Sequence, residues 1–129
     1  MIKYILRRFK LKILVVDDSK VARKYILRSI ASIGIEAEFR EAENGQEALS
    51  AYKEERADVV FLDLTMPIMD GYEALREIIA YDKDAQVIVV SADVQSEAKL
   101  RVLKDGAKNM YPKPISDEKM RTIFAEDIV

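Results

Sequence analysis

Residues 58–63 read DVVFLD, a short apolar run that ends in an aspartate. Two further runs, KILVV at residues 12–16 and QVIVVSA at residues 86–92, are equally short, rich in β-branched residues and almost continuously apolar. Parallel strands that are covered by helices on both faces have this pattern, because neither of their faces meets water. The three runs therefore predict the centre of a parallel sheet.

Helical patterns lie between these runs. Apolar residues at positions 22, 26, 30 and 33 form one stripe on a helix from about Ser19 to Ile33. Asn44 with Glu47, and Asp70 with Glu73, have the spacing of capping boxes and predict the starts of two more helices. The remaining candidates are helices near residues 95–104 and 117–127 and weaker strands at AEFREA, residues 37–42, and AKNMYPK, residues 107–113.

Five strand and helix units in one small chain predict an α/β fold. The expected architecture is a single five-stranded parallel sheet, doubly wound by five helices through right-handed crossovers. The chain has 129 residues, half of them apolar, which suits one domain with one continuous core. We expect this domain to cover residues 11–129. The opening MIKYILRRFK, residues 1–10, is expected to be an N-terminal extension, either a loose tail, a misassigned start or a short amphipathic helix.

The composition excludes several classes of function. The chain contains no cysteine and no histidine, which excludes disulfides, thiolate or imidazole metal sites, and histidine catalysis. Its net charge of -2 argues against nucleic acid or an anionic membrane as the main partner. No apolar stretch reaches the length of a membrane span, and the opening residues lack the features of a signal peptide. We therefore expect a cytoplasmic protein.

Polar residues stand where the predicted strands end. Asp17 and Asp18 follow the first strand, Asp63 ends the third, Ser91 follows the fourth and Lys113 the fifth. Each of them alone has an ordinary explanation as a turn, a helix cap or a surface residue. In an open parallel sheet, however, the working site lies at the carboxyl ends of the strands, so all five are expected on one rim. Their joint placement favours a functional site.

These side chains suit phosphoryl transfer to a carboxylate. Three crowded carboxylates repel one another unless a cation lies among them, and hard oxygen ligands suit Mg²⁺. A carboxylate can also attack phosphorus and form an aspartyl-phosphate. We predict that Asp63 is the nucleophile, that Asp17 and Asp18 hold the metal, and that Lys113 pairs with the phosphoryl charge. Ser91 is expected to donate a hydrogen bond to the same group.

Four segments together resemble the receiver domains of bacterial two-component response regulators, in particular the stand-alone chemotaxis regulators. They are VVDDS at residues 15–19, FLDLTMPIMDG at 61–71, VVSA at 89–92 and KP at 113–114. The resemblance spans about residues 11–127. It implies a flavodoxin-like sheet with strand order 2-1-3-4-5.

The resemblance also implies roles for individual residues. It makes Asp63 the phosphoacceptor, and makes Asp18, Asp63 and the Thr65 carbonyl the ligands of Mg²⁺. Asp17 would act mostly through metal-bound water. The bond between Lys113 and Pro114 would be cis.

The chain departs from the family pattern at two positions. Ser91 stands for the commoner threonine and keeps the hydroxyl. Met110 stands where the family usually has the tyrosine or phenylalanine that turns inward on activation. Because methionine is flexible and has no ring, Ser91 and Met110 are predicted to form a softer switch. Alternation along the strand places Tyr111 on the opposite face, and Pro112 indicates an edge strand.

The sequence thus predicts a stand-alone response regulator receiver. A histidine kinase or a phosphotransfer protein would donate the phosphoryl group. A separate target protein would bind the activated form, in chemotaxis or adaptor signalling, or the protein would serve only as a phosphate sink. We expect no enzymatic activity beyond its own phosphotransfer and autodephosphorylation, and a monomer or weak dimer. Lys20, Lys24 and Arg28 form a row on one face of the first helix, here named the basic row. It is either an ordinary solvated face or a landing surface for an acidic partner.

Two other functions share parts of this pattern. An aspartate-nucleophile phosphatase usually needs a second acid two residues after the nucleophile, but Thr65 occupies that position. A flavin-binding electron carrier of similar fold would place a phosphate near the first strand, where the acidic loop DDSK, residues 17–20, would repel it. Both rivals are therefore disfavoured.

Overall fold

A computed structural model describes residues 10–93 and 95–129 of the protein. The predicted extension at residues 1–10 lies outside the described residues except for Lys10. Within the described residues, no helix is both long enough and apolar enough to span a bilayer.

Five strands form one parallel sheet in the order β2-β1-β3-β4-β5, which confirms the predicted topology. The strands are β1 (Leu11–Val16), β2 (Ala37–Ala42), β3 (Val59–Leu62), β4 (Val87–Ser91) and β5 (Asn109–Pro112). All residues of β3 and β4 are buried, as the continuous apolar runs predicted. β3 ends one residue earlier than expected, so that Asp63 directly follows the strand.

Five helices cover the sheet. They are α1 (Lys20–Ser32), α2 (Gly45–Glu54), α3 (Gly71–Tyr81), α4 (Ser96–Lys104) and α5 (Asp117–Thr122), which continues as a π-helical turn (Ile123–Asp127). The side chains of Asn44 and Asp70 accept hydrogen bonds from the backbone amides of Glu47 and Glu73. Both predicted helix starts are thereby confirmed. The Glu47 carboxylate accepts the amide of Glu43, so it closes a slightly wider loop than a standard capping box.

The core has one layer on each face of the sheet. Leu14, Val16, Leu62 and Val89 pack with α2, α3 and α4, whereas the alternate residues of β1 and β3 pack with α1 and α5. The members of the second layer from the strands are Ile13, Val15, Val59, Phe61, Ile88 and Val90. Residues 110 and 111 follow the same alternation, which confirms that the two side chains take opposite faces. The carboxyl ends of all five strands consequently meet at one edge.

Candidate functional site

Asp63 lies at the centre of this edge. Its amide donates to the carbonyl of Val16 at 3.0 Å, which ties the end of β3 to the end of β1. Only 6% of the residue is exposed to solvent. The aspartate is therefore a largely desolvated carboxylate that the sheet itself positions.

The three aspartates predicted from the sequence come together. Asp17, Asp18 and Asp63 each offer one carboxylate oxygen, and these oxygens lie within 4.8 Å of one another. Asp17 is buried and Asp18 is exposed. A small group of hard oxygen donors, one of them open to water, has the chemistry that suits Mg²⁺, which commonly retains water ligands.

Lys113 also reaches the cluster. Its Nζ lies 2.7 Å from Oδ2 of Asp17 and 3.4 Å from Oδ1 of Asp63. The Lys113 amide donates to the carbonyl of Ser91 at 2.9 Å, and the bond to Pro114 is cis, as the family resemblance implied. One ammonium thus offsets the charge of two neighbouring carboxylates.

The electrostatics reflect this crowding. Burial, followed by the negative charge of Asp17, raises the pKa of Asp63, although Lys113 acts in the opposite direction. Burial alone would lower the pKa of Lys113, but its hydrogen bond to Asp17 and the charges of Asp63 and Asp17 outweigh burial and raise it. The lysine therefore stays protonated at neutral pH.

Three further residues are predicted to take part in the site. Ser91 is buried at the end of β4, and its Oγ accepts the amide of Asp93 at 3.0 Å. Thr65 is exposed two residues after Asp63. Among the described residues, neither Ser91 nor Thr65 makes a hydrogen bond to the three aspartates. Met110 is buried in the same core layer as Val102 of α4. The roles predicted for Ser91, Thr65 and Met110 remain predictions.

The loop from β3 to α3 contains a contact that the sequence reasoning missed. A Cβ atom added to Gly71 would lie 2.0 Å from the carbonyl oxygen of Asp63, and the Gly71 amide donates to the carbonyl of Leu64 at 2.9 Å. The φ angle of Gly71 is not among the positive ones, so its role is space and not turn geometry. The sequence signal was the glycine directly after the predicted helix cap Asp70.

Arg23 is the second residue that was missed. It is a charged residue outside the basic row of α1, and only 6% of it is exposed. Its position, three and seven residues before Ile26 and Ile30, places it on the apolar face of α1 and could have indicated burial. The basic row, in contrast, is exposed and forms no ion pair within the described part of the chain.

Comparisons with known proteins agree with this geometry. The family model described as response regulator receiver domain matches residues 13–125. The chemotaxis protein CheY of Listeria monocytogenes is 42% identical over 110 residues, which cover 85% of this chain and 92% of that protein. The CheY of Thermotoga maritima is 38% identical over 109 residues, covering 84% of this chain and 90% of the relative.

Among solved structures, a chain in the CheX–CheY–BeF3–Mg complex from Borrelia burgdorferi superposes with a TM-score of 0.82. It is 34% identical, and the match covers 89% of this chain and 88% of that chain. The family match spans most of the sequence, and these relatives cover it at similar length. The chain belongs to the response regulator receiver domain family.

Proposed function

We propose that Asp63 accepts a phosphoryl group from a histidine kinase or a phosphotransfer protein in an Mg²⁺-dependent reaction. Receiver domains in general accept phosphoryl groups and use Mg²⁺. The observation that carries the proposal for this chain is the cluster of three carboxylates with Lys113 bridging two of them. Phosphorylation would then change the affinity of the chain for a separate target protein.

The donor set fits the metal. Asp17, Asp18 and Asp63 supply carboxylate oxygens, and the Thr65 carbonyl is the further ligand that the family pattern adds. When bound, Mg²⁺ offsets the charge of the carboxylates and of the phosphoryl oxygens. We expect Asp18 to be a direct ligand, because its carboxylate is exposed, and Asp17 to act through water, because Lys113 holds its Oδ2.

The transfer itself needs few protein groups. A carboxylate oxygen of Asp63 attacks phosphorus and forms a P–O bond, while the P–N bond of the donor phosphohistidine breaks. The bond electrons go to the imidazole nitrogen, and a proton from solvent keeps the ring neutral. Lys113 then pairs with the phosphoryl oxygens, and the Ser91 hydroxyl donates to one of them. Attack by water later breaks the P–O bond and returns the carboxylate and inorganic phosphate.

The phosphodonor must be another molecule, because the chain has no histidine. The basic row on α1 begins two residues after Asp18 and is exposed, so it suits an acidic docking surface beside the site. We propose no catalysis on other substrates. Phosphotransfer from the donor to Asp63 and autodephosphorylation are the whole of the proposed chemistry.

Output is proposed to run through a protein target. The Borrelia burgdorferi neighbour is described as a complex with CheX, and the named relatives are chemotaxis proteins, which supports protein binding in a chemotaxis-type pathway. Ser91 and Met110 are the proposed switch residues. We propose a stand-alone, cytoplasmic receiver that is a monomer or weak dimer.

The decisive experiment compares two aspartates of one loop. Wild type, Asp63→Asn and Asp70→Asn are incubated with acetyl phosphate and Mg²⁺, and intact mass reports the phosphoryl group. Asp70 caps α3, and asparagine caps as well as aspartate, so this control keeps its fold. We expect labelling of wild type and Asp70→Asn, none of Asp63→Asn, and none of wild type with a chelator. Wild-type labelling of Asp63→Asn would refute the proposal.

A further inference from the structure

Arg23 brings a buried positive charge close to the acidic cluster. From its place on α1, its Nη1 donates to the backbone carbonyl of Asp17 at 2.7 Å. Its Nε donates to Oε1 of Glu41 at 2.8 Å, and its Nη2 lies 3.8 Å from Oε1 of Glu43. The planar guanidinium therefore joins the loop after β1 to the residues at the end of β2.

Further hydrogen bonds hold the backbone and the side chain of Asp17. Its amide donates to the carbonyl of Ala42 at 3.1 Å, and its Oδ1 accepts the amide of Ser19 at 2.9 Å. The carbonyl that Arg23 binds belongs to the peptide between Asp17 and Asp18. Arg23 consequently holds the peptide group that links Asp17 and Asp18, the two residues whose side chains are predicted to hold the metal.

We infer that Arg23 is a positioning residue of the acidic cluster. It acts through the backbone of Asp17, and it keeps the exposed Asp18 carboxylate beside Asp17 and Asp63 in the metal-free protein. Three like charges within this distance favour separation, so a loop without this restraint would let Asp18 move away. The inference rests on the proposed function, because Mg²⁺ binding is one of its two readouts.

The alternative is that Arg23 is only a structural ion pair. In that case its loss would lower stability without changing the cluster. Arg40 offers a control for this alternative, because its guanidinium also donates to backbone carbonyls, those of Ala51 and Glu55, and not to any of the three aspartates. Substitution of either arginine removes comparable hydrogen bonds, and only Arg23 touches Asp17.

The test uses Arg23→Met, Arg23→Lys and Arg40→Met in the full chain. Calorimetric titration gives the Mg²⁺ affinity, and hydrogen exchange of the Ser19 amide in the metal-free protein reports the loop directly. We expect Arg23→Met to weaken Mg²⁺ binding about tenfold, as loss of an outer-shell partner does, and to speed Ser19 exchange. Arg40→Met should leave both within about twofold of wild type.

Arg23→Lys keeps the charge but cannot reach Glu41 and the Asp17 carbonyl together, because lysine carries a single ammonium. We expect it to weaken binding about threefold or more, and it carries the test if Arg23→Met does not fold. Wild-type affinity and exchange in the folded Arg23 variants, or an equal loss in Arg40→Met, would overturn the inference. Wild-type protein that binds no Mg²⁺ would instead refute the proposed function.

Discussion

Substitution of Gly71 by alanine tests how the fold positions the phosphoacceptor. The new Cβ would lie 2.0 Å from the Asp63 carbonyl oxygen, 2.7 Å from Cα of Leu64 and 2.8 Å from the Asp63 carbonyl carbon. All three are backbone atoms, so no side chain can rotate out of the way. The first turn of α3 must retreat from Asp63 by about 1 Å or more to restore normal contact distances.

The expected cost follows from two opposing effects. Overpacking of this kind costs about 1–3 kcal/mol. Loss of the hydrogen bond from the Gly71 amide to the Leu64 carbonyl adds about 1 kcal/mol. Alanine gains at most about 1 kcal/mol over glycine in a helix, and less at the first helical residue. The net loss is therefore about 1–4 kcal/mol, which lowers Tm by about 4–16 °C for a domain of this size.

Thermal denaturation and the rate of labelling by acetyl phosphate are the two assays. Gly34→Ala is the control, because Gly34 has a φ of +85° but an added Cβ would meet no atom of the described residues within 4 Å. It should cost about 1 kcal/mol of backbone strain and leave labelling unchanged. Gly71→Ala should lower both Tm and the labelling rate. A Gly71→Ala protein as stable as the wild type would refute the reasoning.

Four further predictions concern charge and switching. Because burial and then the charge of Asp17 raise the pKa of Asp63, the folded state binds this proton more tightly than the unfolded state, and the ionised carboxylate destabilises the fold above that pKa. Asp63→Asn should thus raise stability at pH 7 by about 1 kcal/mol in thermal denaturation, and an unchanged or lower Tm would contradict this. Asp18→Ala should weaken Mg²⁺ binding more than Asp17→Ala in a metal titration, and equal affinities would reject the division of roles. Reversing the charges of the basic row should slow transfer from the partner donor but not from acetyl phosphate, and equal slowing would point to damage at the site. Met110→Tyr should change the ratio of target affinities between beryllofluoride-activated and apo protein, with labelling nearly unchanged. A constant ratio would mean that Met110 only packs in the core and is not part of the switch.

The strands and the rim of the sheet were predictable because their signals are local. The apolar runs at residues 12–16, 58–63 and 86–92 have the composition of covered parallel strands, and all three lie in the sheet. Once the sheet is parallel, its strand ends share an edge, so the meeting of Asp17, Asp18 and Asp63 follows from topology. The strand order came from the family resemblance, because the strand patterns alone do not determine it.

The restraints on these aspartates were not predictable in the same way. The contact of Gly71 with Asp63 depends on how closely α3 begins to the end of β3, which local sequence does not specify. The bond from Arg23 to Asp17 depends on burial of a charged residue, which is uncommon in folded proteins. Both contacts arise only after distant segments pack.

The packing explains how a site that opposes folding persists in the fold. Burial and then the negative charge of Asp17 disfavour the ionised form of Asp63, and Lys113 offsets only part of this cost, since the pKa of Asp63 stays raised. The free energy that holds the carboxylates together must then come from elsewhere. It comes from the buried β1 and β3 strands, whose ends are joined by the Asp63 amide, and from the backbone contacts of Gly71 and Arg23. A bound cation and a phosphoryl group would act on carboxylates that are already in place, so that little ordering remains to be done during the transfer.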